Sequence, residues 1–266
     1  MTTAKSTARA ARSSTLFRRT ARVGYAVLGI VHVIIGALAV SIAWGAGGDA
    51  DQDGAMEQIR STPVGGVVLW CVAAGLAALA VWQIAAAVVA AAPDEAKRWG
   101  RRITLLGAAA AYLVIAGMAA VYAVGGSADS EETTQTLTAR VMAAPGGPIL
   151  VLLLGLGVIA VGVGFIVGGV RRVFEKTMDL PDGGARSGVV TFGVIGYIAK
   201  GVAVALTGVL FVVAAWTQDS DKAAGLDAAL HSLAAVPLGR LALLLTGAGL
   251  AVYGVFCFAR ARLARM

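Results

Sequence analysis

The sequence predicts an all-α polytopic membrane protein: six transmembrane helices in three two-helix repeats, packed as a bundle of pseudo-threefold character. Three observations predict it. Of the 266 residues, 58% are hydrophobic and only 14% are charged, against roughly 25% charged in soluble domains. The apolar residues fall into six long blocks, and features of the first block recur 172 residues later. Mean hydropathy is +0.81. Too little polar surface exists to cover a water-facing globule of this size.

The six blocks are Ala21–Ala43, Val64–Ala90, Ile103–Val124, Pro148–Val170, Gly188–Ala215 and Leu238–Ala259. Each is near or above the roughly 20 residues that a helix needs to cross about 30 Å of hydrocarbon. The first follows Lys5, Arg9, Arg12, Arg18 and Arg19, as a signal peptide would. Its apolar run is longer than a signal-peptide core and has no small-residue cleavage site close behind, so it reads as a retained span.

Charge orients the spans. Seventeen of the 22 lysines and arginines lie on one side, in the N-terminal tail, the 91–102 and 171–187 connections and the C-terminal end. The other side holds four: Arg60, Arg140, Lys222 and Arg240. Acidic residues mark that side instead, with Asp49, Asp51, Asp53 and Glu57 in the first connection, Asp129, Glu131 and Glu132 in the second, and Asp219, Asp221 and Asp227 in the third. Basic residues mark the cytoplasmic face. The expectation is a multi-pass plasma-membrane protein with both termini cytoplasmic. The net charge of +7 then needs only anionic lipid as its partner, and no nucleic acid.

Repeats divide the chain into a basic tail (1–20) and units spanning 21–92, 93–178 and 179–262. Gly24, Tyr25, Gly29 and Gly36 correspond to Gly196, Tyr197, Gly201 and Gly208, and Trp44 to Trp216. In the middle unit Leu106 and Ala110 stand at the tyrosine and first glycine positions, and Gly117 answers Gly36. The acidic connections end in "TPVGG", "APGGP" and "VPLGR", around Pro63, Pro145 and Pro237. Before each lies a short, one-sided apolar segment, exemplified by Leu226, Ala229, Leu230 and Leu233, at helical spacing. These segments predict short helices at the interface or packed over the spans. The proline is expected to begin the returning span, where its missing N–H is tolerated.

Glycine is abundant within the spans, and Gly155, Gly157, Gly162, Gly164, Gly168 and Gly169 crowd the fourth. Small residues permit close helix approach in lipid; bending for a gating motion is the alternative. Trp44, Trp99 and Trp216 fit interfacial anchoring, whereas Trp70 and Trp82 are expected between helices. Cys71 and Cys257 read as core thiols without a disulfide framework.

Lys200 is the strongest candidate functional residue, because it falls about 18 Å into the fifth run, near mid-bilayer. It must face the interior, find a partner or snorkel. His32, one turn after the residue matching Lys200 (Leu28), is the second candidate, as a proton relay or a simple helix–helix hydrogen bond. No carboxylate falls within the six runs, which weakens ion-coupled transport. No catalytic constellation, cofactor motif or metal-ligand spacing is readable, so no enzyme is expected.

The three two-span units, the Arg22-x-Gly24-Tyr25…Gly29…Gly36 opening and the basic "FARARLARM" ending resemble the DUF1206 family over about residues 18 to 262. The family comprises bacterial, mainly actinobacterial, six-span proteins built from three copies of a domain of unknown function. The middle unit departs at the tyrosine position. The resemblance implies a plasma-membrane location and carries over no catalytic residue.

Two functions compete. Short connections and glycine-rich faces favour a structural, interaction or accessory role, with a membrane-protein partner and oligomeric state left open. Internal repeats, Lys200 and His32 favour a small transporter or channel. The discriminating feature is whether Lys200 and His32 share a polar cavity or make dry contacts.

Overall fold

The computed structural model describes residues 15–45, 49–90, 94–223, 225–234 and 237–265. Lys5, Arg9 and Arg12 of the predicted tail lie outside the described residues. The described chain is all-α. Its helices are α1 (Thr15–Ala43), α2 (Gln52–Arg60), α3 (Gly65–Val88), α4 (Glu95–Ala123), α5 (Ser130–Met142), α6 (Gly147–Val170), α7 (Gly184–Thr217), α8 (Leu226–Ala234) and α9 (Gly239–Leu263), with 3-10 turns at Val173–Thr177 and Ser220–Lys222. Among the described residues, six helices are long and apolar enough to span: α1, α3, α4, α6, α7 and α9. In hydrocarbon each backbone donor and acceptor needs a partner in its own segment, which is why such apolar runs become unbroken helices.

The spans exceed the apolar runs at their basic ends. Residues 95–102 are helical, with Asp94 capping α4 by accepting from the Ala96 N–H at 3.2 Å. Lys97, Arg98, Arg101 and Arg102 therefore sit in the first turns of α4 rather than in a loop. Helix α7 begins at Gly184, before the predicted Gly188, and its 34 residues reach about 51 Å.

The prolines do not start the returning spans. Helices α3, α6 and α9 begin at Gly65, Gly147 and Gly239, each two residues after Pro63, Pro145 or Pro237. A Cβ on Gly65 would collide with the Ile59 carbonyl oxygen, and one on Gly147 with the Val141 carbonyl oxygen. The short helix folds back so tightly that only glycine fits. The residue between is left-handed in two of the three turns, Gly146 (φ 77°) and Leu238 (φ 63°).

Two compact units partition the chain. One comprises residues up to Ile30, Ile59–Ser127 and Cys257 onward. Here α3 packs along α4, and Gly24 lies against Gly75, where a Cβ would strike the Gly75 carbonyl oxygen. Arg260 lies 4.7 Å over the Tyr25 ring. Trp82 is buried, but Trp70 and Cys71 are exposed rather than packed between helices.

The other unit comprises Val31–Gln58 and Ala128–Phe256. Its main seam joins α6 to α7. A Cβ on Gly155 would approach the Gly208 oxygen at 2.9 Å, one on Gly162 the Gly201 oxygen at 2.6 Å, and one on Gly169 the Tyr197 Cβ at 2.9 Å. These three glycines recur every seven residues, so they share one face of α6. Gly157 and Gly164 meet nothing within 4 Å. Helix α8 buries Ala229 and Leu230, and Leu230 joins Ala39, Ala43, Ala50 and Leu243 in one apolar cluster. Trp44 and Trp216, 77% and 85% exposed, suit the interfacial belt.

Candidate functional site

Glycine brings the two candidate residues together. A Cβ on Gly36 of α1 would come within 2.5 Å of the Ala251 nitrogen and the Gly247 oxygen, both on α9. One on Gly196 of α7 would come within 2.6 Å of the Tyr253 Cα. Helix α9 therefore presses closely on α1 and α7, and Lys200, one turn past Gly196, reaches both neighbours. Its Nζ lies 3.3 Å from His32 Nε2 and donates to Tyr253 Oη at 3.4 Å. Nε2 accepts when the imidazole proton is on Nδ1. Both separations are at the long end for hydrogen bonds.

The π faces add to these contacts. Lys200 Nζ is 4.5 Å from the Tyr253 ring centroid and 5.3 Å from that of Phe165, within the range of cation–π attraction. His32 meets Tyr253 edge-on at 4.9 Å. His32 and Tyr253 are 7% and 2% exposed, and Lys200 is half-buried.

Toward the basic end, Tyr197, Tyr253, Phe174 and Phe256 form a layer with centroids 5.0 to 6.3 Å apart. Gly193 makes room for it, since a Cβ there would meet Phe174 at 2.5 Å. Toward the acidic end, the Gly36–Gly247 approach closes on His32. Direct contacts join the two candidates.

Sequence reasoning missed Tyr253 and Phe165. A phenol in "GLAVYGVF", nearly two turns inside the end of the sixth apolar run, was the available signal. The remaining signature residues serve packing. Gly24 meets Gly75, Gly201 meets Gly162 and Gly208 meets Gly155; Gly29 is buried. Among the described residues, no three histidine, cysteine or acidic side chains converge to hold a metal.

A second polar arrangement joins the three acidic connections pairwise. The Ala50 N–H donates to Asp227 Oδ1 at 2.7 Å, linking first to third. The Ser130 N–H donates to Asp53 Oδ2 at 2.8 Å, linking second to first. Gln135 Nε2 donates to the Asp221 carbonyl at 3.2 Å, linking second to third. Charge accumulates in this ring. Burial, with help from Asp53, Asp227 and Asp49, pushes Asp51 up from 3.8 to about 6 against the opposing Gly54 N–H bond. Burial also raises Asp227, against the Ala50 N–H and His231, whose Nδ1 is 3.1 Å from Asp227 Oδ2. Glu131 is raised by burial and by Asp227, Asp129 and Asp49.

The repeat pattern recurs in other proteins. Residues 23–90, 103–172 and 195–264 each match the family described as Domain of Unknown Function (DUF1206). The uncharacterized protein YxxB of Bacillus subtilis (strain 168) is 32% identical over 243 residues, covering 90% of this chain and 88% of that protein. No solved structure matches. Each matched segment takes in one pair of spans and the short helix between them, the middle one included despite its missing tyrosine. With three such matches in tandem over most of its length, this six-span membrane chain belongs to the DUF1206 family.

Proposed function

We propose that the chain is a multi-pass plasma-membrane protein with both termini cytoplasmic, serving a structural or accessory role rather than an enzymatic one. The charge asymmetry supports the orientation: seventeen basic residues lie on one side and four on the other. The accessory role rests on how Lys200 is held. A lysine in a transport path needs room for a substrate beside it. Here the ammonium is occupied by an imidazole, a phenol and two ring faces, between an aromatic layer and a glycine-tight crossing. Such contacts tie α1, α6, α7 and α9 together, a structural use of an intramembrane cation.

One observation favours a second reading, a small transporter or channel. Lys200 touches His32, a side chain able to exchange protons near neutral pH. Native mass spectrometry of the protein extracted from its own membrane, as wild type and as Lys200→Leu, separates the two. The accessory role expects a protein partner retained by both forms. A small molecule held by the wild type and lost from the variant would overturn it in favour of the transporter. Reporter fusions at the two ends test the orientation, and a periplasmic or extracellular signal from either would refute it.

A further inference from the structure

Helix α6 stops short at the basic end. Its last glycine, Gly169, lies against Tyr197 and the Val194 carbonyl of α7. Helix α7 itself begins ten residues before Val194, at Gly184, about 15 Å nearer that end. The chain between the two helices fills the difference. Its 3-10 turn, Val173–Thr177, folds inward, and Phe174 and Met178 are 3% and 1% exposed. Phe174 reaches the glycine socket at Gly193 and packs against Tyr197 and Phe256, with centroids 5.3 and 5.0 Å away. Tyr197 in turn meets Tyr253, the ring beneath the Lys200 ammonium. Phe174 is thus the outermost member of the aromatic layer that separates Lys200 from the basic side.

The segment is built to come out. Arg172 at one edge is left-handed (φ 52°) although it carries a side chain, and Gly183 at the other edge has φ 71°. A residue other than glycine keeps that conformation only where its surroundings impose it, and here the seating of Phe174 does so. A few positions at the ends of a segment are what absorb the backbone change when it swings. Between them the 3-10 turn has weaker hydrogen-bond geometry than the α-helices on either side. An ion pair clasps its outer face: Arg186 Nη2 lies 3.0 Å from Glu175 Oε2, and the Arg186 side chain is more than half exposed, so the clasp is weak. The acidic end of the Lys200 cluster is different. There backbone meets backbone at Gly36 and Gly247, and no side-chain movement opens it.

We propose that residues 173–182 form a strap that shuts the basic end of the Lys200 cluster and swings out as one piece about Arg172 and Gly183, admitting water and small solutes to the lysine. The inference concerns access to Lys200 rather than what Lys200 does, so its failure leaves the accessory reading untouched.

The test measures how fast a charged methanethiosulfonate labels Lys200→Cys in the full chain, in detergent micelles, with Cys71→Ser and Cys257→Ala as background. Ser187→Cys in the same background, exposed near the start of α7, gives the unhindered rate. With Phe174 in place, Lys200→Cys should react at least a hundredfold more slowly than that reference. Adding Phe174→Ala, which empties the Gly193 socket, should speed labelling at least tenfold. Adding Glu175→Gln instead, a surface change that only unfastens the clasp, should speed it about twofold to fivefold. If Phe174→Ala fails to fold, the Glu175→Gln rate decides. Labelling that neither substitution changes overturns the proposal, because the segment would then be a fixed plug. So does a Lys200→Cys rate equal to the reference, because the basic end would then stand open without any movement of the strap.

Discussion

Replacing Asp51 with asparagine removes one buried charge and little else. The side chain is 7% exposed and accepts from the Gly54 N–H at 3.0 Å, a bond that the asparagine oxygen can keep. Burial, and then the charges of Asp53, Asp227 and Asp49, raise the Asp51 carboxyl from 3.8 to about 6. An acid whose proton is held more tightly in the folded state favours folding at low pH. The wild-type ring is therefore firmest below about pH 4, and it loses that stability as pH rises through about 6. At roughly 1.4 kcal/mol per pH unit, the interval corresponds to about 3 kcal/mol. Asp227 and Glu131, raised in the same direction, act with it. Hydrogen exchange of residues 49–60, corrected for the intrinsic pH dependence of exchange, reports the local opening energy. Wild type should lose protection by about two orders of magnitude between pH 4 and 8, and Asp51→Asn should lose far less. Identical pH profiles for the two proteins would refute the reasoning, because the carboxyl would then be solvated well enough to ionise without cost.

Two further predictions concern the spans. Gly162→Val forces a side chain into the Gly201 backbone and should destabilise the protein by about 1–3 kcal/mol in unfolding from mixed micelles. Gly157→Val, on the same helix with open space beside it, should change stability little; equal losses from both would refute the assignment of faces. A double-mutant cycle with Lys200→Met and His32→Phe should return a coupling of about 0.6–2 kcal/mol, as polar pairs in membranes do. A coupling near zero would mean that the 3.3 Å approach carries no energy.

The spans were legible because hydropathy is a bulk property of a helix and survives any packing. The short helices were legible for a related reason: the faces carrying Met56, Ile59, Ala229 and Leu230 had to be covered, and they are buried. Lys200 and His32 stood out as polar groups in apolar runs, but their meeting was not legible. Repeat alignment sets Lys200 as the counterpart of Leu28, but equivalence between repeats does not say which side chains touch, and the contact is made with His32. Tyr253 was missed because a tyrosine in a membrane helix reads as an interfacial anchor or as bulk until its neighbours are known. The turns after Pro63 and Pro145 were misread for a steric reason. Local chemistry suggested proline as the first helical residue, but a carbonyl six residues before each glycine, from Ile59 or Val141, leaves room only for hydrogen at that point.

The glycine seam between α6 and α7 also constrains motion. Gly155 and Gly162 fit against Gly208 and Gly201, so the two helices interlock like the teeth of a vernier with a pitch of seven residues. Sliding one along the other by a single turn would drive side chains into backbone, and the next position at which glycine again faces glycine is about 10.5 Å away. A displacement that large would carry the ends of both helices well beyond the interface. The α6–α7 pair can therefore tilt or move as one body, but its two helices cannot ratchet past one another by a single turn, so an axial displacement of either carries the other with it.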